Sequence, residues 1–181
     1  MRVITGTARG RKLESPEGMD VRPTSEKVKE AVFSMIQFEL PGARFLDLFA
    51  GSGQMGIEAL SREAATAVLV DASPKSVAVI RENLLRTGMS ERAQLVMLDA
   101  RAFLSACADR FDIAYIDPPY CNSDLTEILF SLLPKMKENG VFLVETDGKT
   151  ELPASLSEWT VDRQKRYGRT LITTYRKGER R

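Results

Sequence analysis

Short apolar runs alternate with amphipathic segments along most of this chain. Runs rich in β-branched and aromatic residues predict seven strands, at 44–49, 67–71, 93–98, 113–117, 141–145, 159–163 and 170–175. Apolar residues with helical spacing predict helices at 54–62, 74–86, 101–108 and 124–137. Because helices separate all but the last strands, the pattern predicts a doubly wound, mostly parallel α/β sheet that an antiparallel pair closes.

Residues 1–40 precede this alternation and have a pattern of their own. Short strand-like runs at 2–5 and 12–14 flank the glycine-containing stretch 6–10, which predicts a β-hairpin with basic residues at its tip. A helix capped by Thr24 or Ser25 follows, and a proline–glycine pair ends it.

Length and hydropathy limit the organisation of the protein. The 181 residues are enough for one compact domain and few for a second. We therefore expect a single domain, in which residues 1–40 form the N-terminal hairpin and helix and residues 41–181 form the core. No stretch approaches the roughly 20 consecutive apolar residues of a membrane helix, and the N-terminus lacks the features of a secretory signal. We expect a cytoplasmic protein that makes no membrane contact.

The chain contains no histidine and only two cysteines, Cys107 and Cys121. The absence of histidine excludes catalytic triads and zinc sites bound by imidazole. Two irregularly placed cysteines do not make a thiolate metal cluster or a disulfide framework. We therefore expect no metal site.

Charge is unevenly distributed although the formal net charge is only +1. Residues 1–12 and 163–181 hold 12 of the 26 basic residues but only one of the 25 acidic residues. Two basic ends around an acidic body are typical of a surface that faces a polyanion, and they are equally compatible with charged ends that only aid solubility.

The strongest local motif leaves the first core strand and enters the first core helix. Its glycines, Gly51 and Gly53, permit a tight turn and let a ligand approach the backbone, while the helix start offers free amide groups. The spacing Gly51-x-Gly53-x-x-Gly56 also fits the dinucleotide fingerprint, so the loop alone leaves the ligand open.

Three aspartates lie at the ends of successive predicted strands. Asp47 ends a buried strand, where a carboxylate is costly unless it meets a cation such as an amino-acid ammonium. Asp71 is placed to accept both hydroxyl groups of a ribose, and Asp99 to accept a hydrogen bond from an adenine amino group. Either of these two could equally be a helix cap, but the three together match one nucleoside that carries an ammonium group.

The fourth core strand ends in Asp117-Pro118-Pro119-Tyr120. Two consecutive prolines hold a rigid segment whose carbonyl groups are available as acceptors. The amino group of a base is a poor nucleophile because its lone pair is delocalised, and hydrogen bonds to the Asp117 carboxylate and the Pro118 carbonyl would orient it for attack. Tyr120 would stack on the base. The structural alternative is a proline-rich turn without a ligand.

These motifs, in this order and spacing, resemble the class I S-adenosylmethionine-dependent methyltransferases that modify amino groups of bases. The opening segment 6–13 and the helix start Arg22-Pro23-Thr24 narrow the resemblance to the bacterial RsmD family, which methylates N2 of a guanine in 16S ribosomal RNA. The resemblance covers almost the whole chain. It implies S-adenosylmethionine as cofactor and ribosomal RNA, within a partly or fully assembled 30S subunit, as the partner of a monomeric enzyme.

The resemblance assigns residues to two roles, and the positive charge predicts a third. Those that would bind the cofactor are Asp47, Phe49, Ala50, Gly51, Ser52, Gly53, Asp71, Ala72, Asp99 and Ala100. Those that would hold the guanine are Asp117, Pro118, Pro119 and Tyr120. Those expected to contact RNA phosphates are Arg2, Arg9, Arg11, Lys12 and Arg22.

Three other functions stay open at this point. The motifs by themselves indicate only that the methyl acceptor is an amino nitrogen, and the assignment of guanine depends on the family resemblance. An adenine amino methyltransferase shares the glycine loop and the prolines, but the short stretch between Asp99 and Asp117 leaves no room for a DNA-reading domain. A nicotinamide-dependent oxidoreductase would explain the glycine spacing and Asp71, but not Asp47 or the prolines. A non-catalytic RNA-binding module is the third.

Overall fold

A computed structural model describes residues 1–16, 25–119 and 124–178 of the protein. Within these residues the α-helices are α1 (Glu26–Met35), α2 (Gln54–Ser61), α3 (Pro74–Thr87), α4 (Ala100–Ala106) and α5 (Leu125–Leu132). The strands are β1 (Arg44–Asp47), β2 (Thr66–Val70), β3 (Ala93–Val96), β4 (Phe111–Ile116), β5 (Met136–Thr146), β6 (Ser155–Leu156), β7 (Trp159–Tyr167) and β8 (Thr170–Lys177). Short 3-10 turns, Ser90–Arg92 and Leu133–Lys135, precede β3 and β5. No helix in this described part has the length and apolar character needed to cross a membrane.

The strands form one sheet in the order β3-β2-β1-β4-β5-β8-β7-β6. Strands β1 to β5 are parallel, and β8, β7 and β6 continue the sheet with antiparallel pairs. Apolar residues of α1, α2 and α3 pack on one face, and those of α4 and α5 pack on the other. The predicted doubly wound, mostly parallel α/β fold is confirmed. The sheet has eight strands in the described residues instead of seven, because the two-residue β6 is too short to produce a periodic pattern.

Helix boundaries follow the predicted signals except at two helix ends. Helix α1 ends at Met35, before the predicted proline–glycine stop at 41–42, because Ile36 leaves the helical conformation with φ −118° and ψ 14°. Ser73 caps α3, and its side chain accepts a hydrogen bond from the Ser76 amide, while Gly88 ends the helix as predicted. The helix predicted over 124–137 is wrong in its second half. The α-helix stops at Leu132, a 3-10 turn contains Pro134, and β5 begins at Met136. Apolar spacing continued through Met136, but proline has no N–H with which to extend the helix.

The N-terminal segment runs antiparallel to itself, with one bridge between Arg2 and Lys12. It does not form a longer hairpin, because its next residues bond to α2: the amides of Ile4 and Thr5 donate to Glu58 at 2.8 and 3.0 Å. At Gly6 the backbone passes so close to α2 that a Cβ atom would lie 1.7 Å from the carbonyl oxygen of Ser61. Residues 1–14 are therefore built into the fold through α2.

Glu58 also neutralises a fully buried lysine. The Lys29 ammonium of α1 lies 3.2 Å from the Glu58 carboxylate, and both side chains are 0% exposed. Burial lowers the pKa of Lys29, and the nearby Glu58 carboxylate opposes that shift. Arg62 pairs with the other carboxylate oxygen at 2.8 Å. Three segments thus meet at one carboxylate.

We expect Glu58→Gln to lower the free energy of unfolding by about 3 kcal/mol, because it leaves the Lys29 ammonium buried without a counter-charge. Urea unfolding monitored by circular dichroism measures this change. The double variant Lys29→Met, Glu58→Gln should regain most of the loss, since no unpaired buried ammonium is left. A single variant as stable as the wild type would contradict the assignment.

Candidate functional site

The predicted site residues gather at the carboxyl edge of the sheet because their strands are neighbours. Asp47, the last residue of β1, is in register with Leu69 of β2 and with Tyr115 of β4. Asp71 lies two residues beyond Leu69, and Asp117 lies two residues beyond Tyr115. Parallel strands present their carboxyl ends at one edge, so the glycine loop and the proline motif lie side by side.

The loop from β1 to α2 is a tight turn with unusual backbone angles. The Ala50 amide donates to the carbonyl of Val70 at 2.9 Å, which ties the loop to β2. Phe49 has φ +139°, which is rare for a residue with a side chain. Gly53 has φ +76°, and a Cβ atom there would lie 3.1 Å from the side chains of Ile80 and Leu69. Gly51 has φ +56° and faces open space, so a ligand can reach its backbone.

Asp47 is a buried carboxylate beside this loop. It is 2% exposed, and Oδ2 accepts a hydrogen bond from the Gly56 amide at 2.9 Å. In residues 1–16, 25–119 and 124–178, no basic side chain forms an ion pair with it. Burial raises the pKa of Asp47 to about 7, the Gly56 hydrogen bond opposes the shift, and the like charge of Asp71 adds to it. A cation placed next to Asp47 would relieve this energetic penalty.

Asp71 joins the glycine loop to the start of α3. Its Oδ2 accepts from the Gly51 amide at 2.8 Å, and its Oδ1 accepts from the Ser73 amide at 2.8 Å. The side chain is half-buried, and the neighbouring Ala72 is exposed. The carboxylate therefore fixes the loop at the same edge to which a ligand would come.

Asp99 caps α4. Its Oδ1 accepts hydrogen bonds from the amides of Arg101 and Ala102, both at 3.0 Å, and its residue is exposed, while Ala100 behind it is buried. The helix cap weighed as an alternative for Asp99 is thus present. Because the cap uses one oxygen, it leaves the predicted cofactor contact through Oδ2 open.

The proline motif continues β4 beyond the sheet. Asp117 is half-buried, Pro118 is buried and Pro119 is exposed. Both prolines line a small cavity whose other walls are Leu125, Glu145, Thr146, Asp147 and Thr150. The predicted stacking residue Tyr120 and the predicted RNA contact Arg22 lie outside the described residues.

Two contacts in this region were not predicted from the sequence. The hydroxyl of Tyr115 donates to the carboxylate of Glu145, and both residues are buried behind the proline motif. Asn83 of α3 is 0% exposed and donates to the carbonyl oxygens of Ser52 at 2.9 Å and Glu14 at 3.0 Å. No local pattern marks either contact, because each joins residues distant in sequence.

The predicted RNA contacts within the segment 1–12 are exposed, but their partners differ. Arg2 forms an ion pair with Glu26 at 3.2 Å, and Arg11 donates to the carbonyl oxygen of Arg86 at 2.7 Å. Arg9 and Lys12 make no side-chain hydrogen bond or ion pair with the described part of the chain. Among the predicted RNA contacts of this segment, these two are the most available to a polyanion.

Comparison with known proteins gives consistent relatives over nearly the full length. The profile of a family described as "Conserved hypothetical protein 95" matches residues 1–176. The chain is 38% identical to a protein of Bacillus subtilis (strain 168) named "Putative rRNA methyltransferase YlbH", over 98% of this chain and 99% of that protein. It is 32% identical to "Ribosomal RNA small subunit methyltransferase D" of Escherichia coli (strain K12), over 98% of this chain and 90% of that protein.

A solved structure has the same arrangement. The structure of "Putative methyltransferase yhhF from Escherichia coli" matches with a TM-score of 0.89 and 32% identity, and the match covers 99% of each chain. The match therefore includes the N-terminal segment as well as the sheet.

Proposed function

This chain belongs to the RsmD/YlbH family described as conserved hypothetical protein 95, and we propose that it transfers a methyl group from S-adenosylmethionine to N2 of a guanine in small-subunit ribosomal RNA. One observation carries the proposal. A buried carboxylate without a basic partner in the described residues, Asp47, and the Asp117-Pro118-Pro119 corner end adjacent strands at one edge of the sheet. The Asp47 carboxylate suits a cofactor with an ammonium group, and the proline corner suits an amino group on a base.

The residues of the loop fit this cofactor. Asp47 would accept the ammonium, and the open face of Gly51 allows the ligand to approach the backbone. Asp71 would hold the ribose hydroxyls, and Asp99 would use Oδ2 for the adenine amino group while Oδ1 caps α4. The bound cofactor supplies a methyl group on a positively charged sulfur.

The proline corner would orient the attacking nitrogen. The Asp117 carboxylate and the Pro118 carbonyl accept hydrogen bonds from the amino group, which aim its lone pair at the methyl carbon. The nitrogen becomes acidic only after it has gained the methyl group, so Asp117 or water then takes the proton. A strong general base is unnecessary, which agrees with a chain that has no histidine.

We extend the proposal to the organisation, location and partners of the protein. Residues 1–40 would contact RNA and residues 41–181 would form the catalytic core of one domain. The enzyme would act as a monomer in the cytoplasm, on RNA within a partly or fully assembled 30S subunit. Arg9 and Lys12 would bind phosphates, which makes RNA binding dependent on salt concentration.

The test is methyl transfer from labelled S-adenosylmethionine to ribosomal RNA from cells that lack this protein, followed by mass analysis of nucleosides. Free RNA and isolated 30S subunits are offered in separate arms. We expect label in N2-methylguanine. Label in N6-methyladenine would overturn the guanine assignment, and absence of transfer in both arms would overturn the enzymatic function in favour of an RNA-binding module. Tight binding of a nicotinamide cofactor, with no binding of S-adenosylmethionine, would favour an oxidoreductase.

Asn83 should position the cofactor loop although it touches no substrate in this proposal. We expect Asn83→Ala to raise the Kd for S-adenosylmethionine about tenfold, because the carbonyl groups of Ser52 and Glu14 lose their buried donor. Isothermal titration measures the change. Thr87→Val is the matched control, since Thr87 lies one turn further along α3 and bonds only within the helix. An equal effect of both variants on Kd would show that helix stability, not the loop contact, is responsible.

A further inference from the structure

Strand β7 is an edge strand for most of its length. The short β6 pairs with it only at Thr160 and Trp159, so in the described structure no strand covers the outer edge of 161–167. Residues 162–166 are all exposed. Exposed edges commonly carry charged side chains that prevent pairing with other chains, and β7 with the following turn is rich in basic residues.

The cations on this edge differ from those on β8 in their partners. Arg163, Lys165 and Arg169 are exposed and make no side-chain hydrogen bond or ion pair with the residues that the structure describes. On β8, in contrast, Arg176 and Lys177 each pair with two carboxylates. The positive charge of the β7 edge is therefore not neutralised within the described part of the protein.

The register of the sheet places Lys165 and the β7–β8 turn with Arg169 at the edge that holds the proline corner, and Arg163 lies two residues before Lys165. Thr146 of β5 is in register with Leu171 of β8, which is in register with Arg166 of β7. Ile116 is in register with Val144, so Pro118, two residues further along, is level with Thr146. Three strand spacings separate β4 from β7, which is about 14 Å.

A direct contact ties the hairpin to the wall of the proline cavity. The guanidinium of Arg166 donates to the carbonyl oxygen of Gly148 at 3.1 Å. Gly148 belongs to the loop after β5, and Asp147 and Thr150 of the same loop line the cavity with Pro118 and Pro119. The β7–β8 turn thus borders the place where a base would be held.

We propose that the β7–β8 hairpin is a second RNA-binding surface, on which Arg163, Lys165 and Arg169 bind backbone phosphates next to the target nucleotide. This inference rests on the proposed function, because it takes the proline corner as the base site. A nucleotide in that site stays attached to the RNA strand on both sides, so the neighbouring phosphates must pass over the edge of the sheet around the site. The N-terminal segment lies on the other side of the proline corner, beside the glycine loop, where the sulfur of Met1 accepts a hydrogen bond from the Ser52 hydroxyl at 3.3 Å. The two basic ends of the chain then flank the site.

The test compares a triple variant, Arg163→Thr, Lys165→Thr and Arg169→Ser, with Arg110→Ser. Arg110 is also exposed but precedes β4 at the opposite edge of the sheet. Fluorescence anisotropy with a labelled ribosomal RNA fragment gives Kd at several salt concentrations. We expect the triple variant to bind about tenfold more weakly, and the slope of log K against log salt to decrease by about 2, since each phosphate contact to a single strand contributes about 0.7. Arg110→Ser should match the wild type.

A charge-retaining variant separates binding from folding. Arg163→Lys, Lys165→Arg and Arg169→Lys should bind RNA within about twofold of the wild type, as expected for contacts made mainly by charge. Unchanged Kd and slope in the neutral triple variant would overturn the proposal and leave the edge to another partner, such as an acidic protein. Weaker RNA binding by the charge-retaining variant would also overturn the proposal, since positive charge alone would then not account for the binding.

The RNA-binding measurement can be interpreted independently of methyl transfer. If the wild type binds RNA and the neutral triple variant binds it more weakly, the surface is supported even where no methyl transfer is detected, and only the proposed function fails. If transfer occurs with the wild type and the triple variant keeps both its Kd and its KM for RNA, the proposed function stands and the hairpin surface is rejected. The Kd for S-adenosylmethionine should not change in any of these variants.

Discussion

Asp117→Ala is expected to lower kcat by about 10³-fold while the Kd for S-adenosylmethionine stays within about twofold of the wild type. The carboxylate would orient the amino group at the moment of transfer, and loss of one such preorganised group typically costs about 10²- to 10³-fold in kcat. Asp117 follows β4, whereas the cofactor residues lie at the ends of β1, β2 and β3, so cofactor affinity should not depend on Asp117. Single-turnover methyl transfer at saturating RNA measures the chemical step, and titration calorimetry measures cofactor binding.

Two variants make this prediction specific. Asp117→Asn keeps one oxygen acceptor and should lose less activity than Asp117→Ala, because it can still accept one hydrogen bond from the base. Asp112→Asn is the control on the same strand, about 16 Å away along β4, where Asp112 accepts from the Arg44 amide and pairs with Lys137. Equal losses in Asp117→Ala and Asp112→Asn would indicate a general effect on β4. A parallel loss of cofactor affinity in Asp117→Ala would place the residue in the cofactor site instead.

The order of elements and the edge of the sheet that carries the site could be predicted from the sequence. Strand and helix periods differ, so the alternation of short apolar runs with amphipathic segments predicted the parallel sheet. The order of the strands within the sheet, in contrast, came from the structure. The helix caps Ser25 and Ser73 could be predicted because capping is local: each serine side chain accepts a hydrogen bond from the amide three residues ahead.

Features that depend on contacts across the chain were not predictable. The end of α5 was misplaced because Leu132 and Met136 keep helical spacing, although Met136 pairs with Phe111 in the sheet. The N-terminal hairpin is reduced to one bridge because Glu58, which is distant along the chain, takes its amides. Local pattern carries no information on such partners.

The candidate site shows the same division. Strand-end position marked Asp47 and Asp71, and both lie beside the glycine loop. The contacts of Asn83 with Ser52 and of Tyr115 with Glu145 had no local sequence signal. A single asparagine within a helix, or a single tyrosine within a strand, does not indicate a distant partner. Sequence motifs thus indicate where a ligand would lie, whereas the residues that hold its loop in place required the structure.

Asp47→Asn is expected to weaken S-adenosylmethionine binding about 100-fold. Asparagine keeps an acceptor for the Gly56 amide, so the loop should retain its shape, but the neutral side chain no longer attracts the ammonium. Two tenfold steps correspond to about 2.7 kcal/mol, a typical cost of removing one partner from a buried charge pair. Titration calorimetry at pH 8 measures the change. Glu91→Gln, an exposed carboxylate neutralised in the same way, should leave cofactor affinity unchanged.

The same substitution should stabilise the protein without cofactor at alkaline pH. Burial raises the pKa of Asp47 from 3.8 to about 7, so between these pH values the folded protein binds more protons than the unfolded chain does. The free energy of unfolding of the wild type therefore falls as pH rises from about 4 to 7, and the loss is complete above about 7. A shift of this size corresponds to about 4 kcal/mol.

Asparagine does not titrate, so Asp47→Asn should match the wild type near pH 4 and become more stable by up to about 4 kcal/mol at pH 8. Urea unfolding at both pH values measures the difference. Saturating S-adenosylmethionine should raise the stability of the wild type at pH 8 more than that of the variant, because the ammonium neutralises Asp47 and the variant binds the cofactor more weakly. A variant less stable than the wild type at pH 8, or equal cofactor affinity in both proteins, would show that Asp47 is a structural carboxylate that binds no cation. A gain in stability together with a loss of affinity is expected only where a buried charge is kept for its ligand.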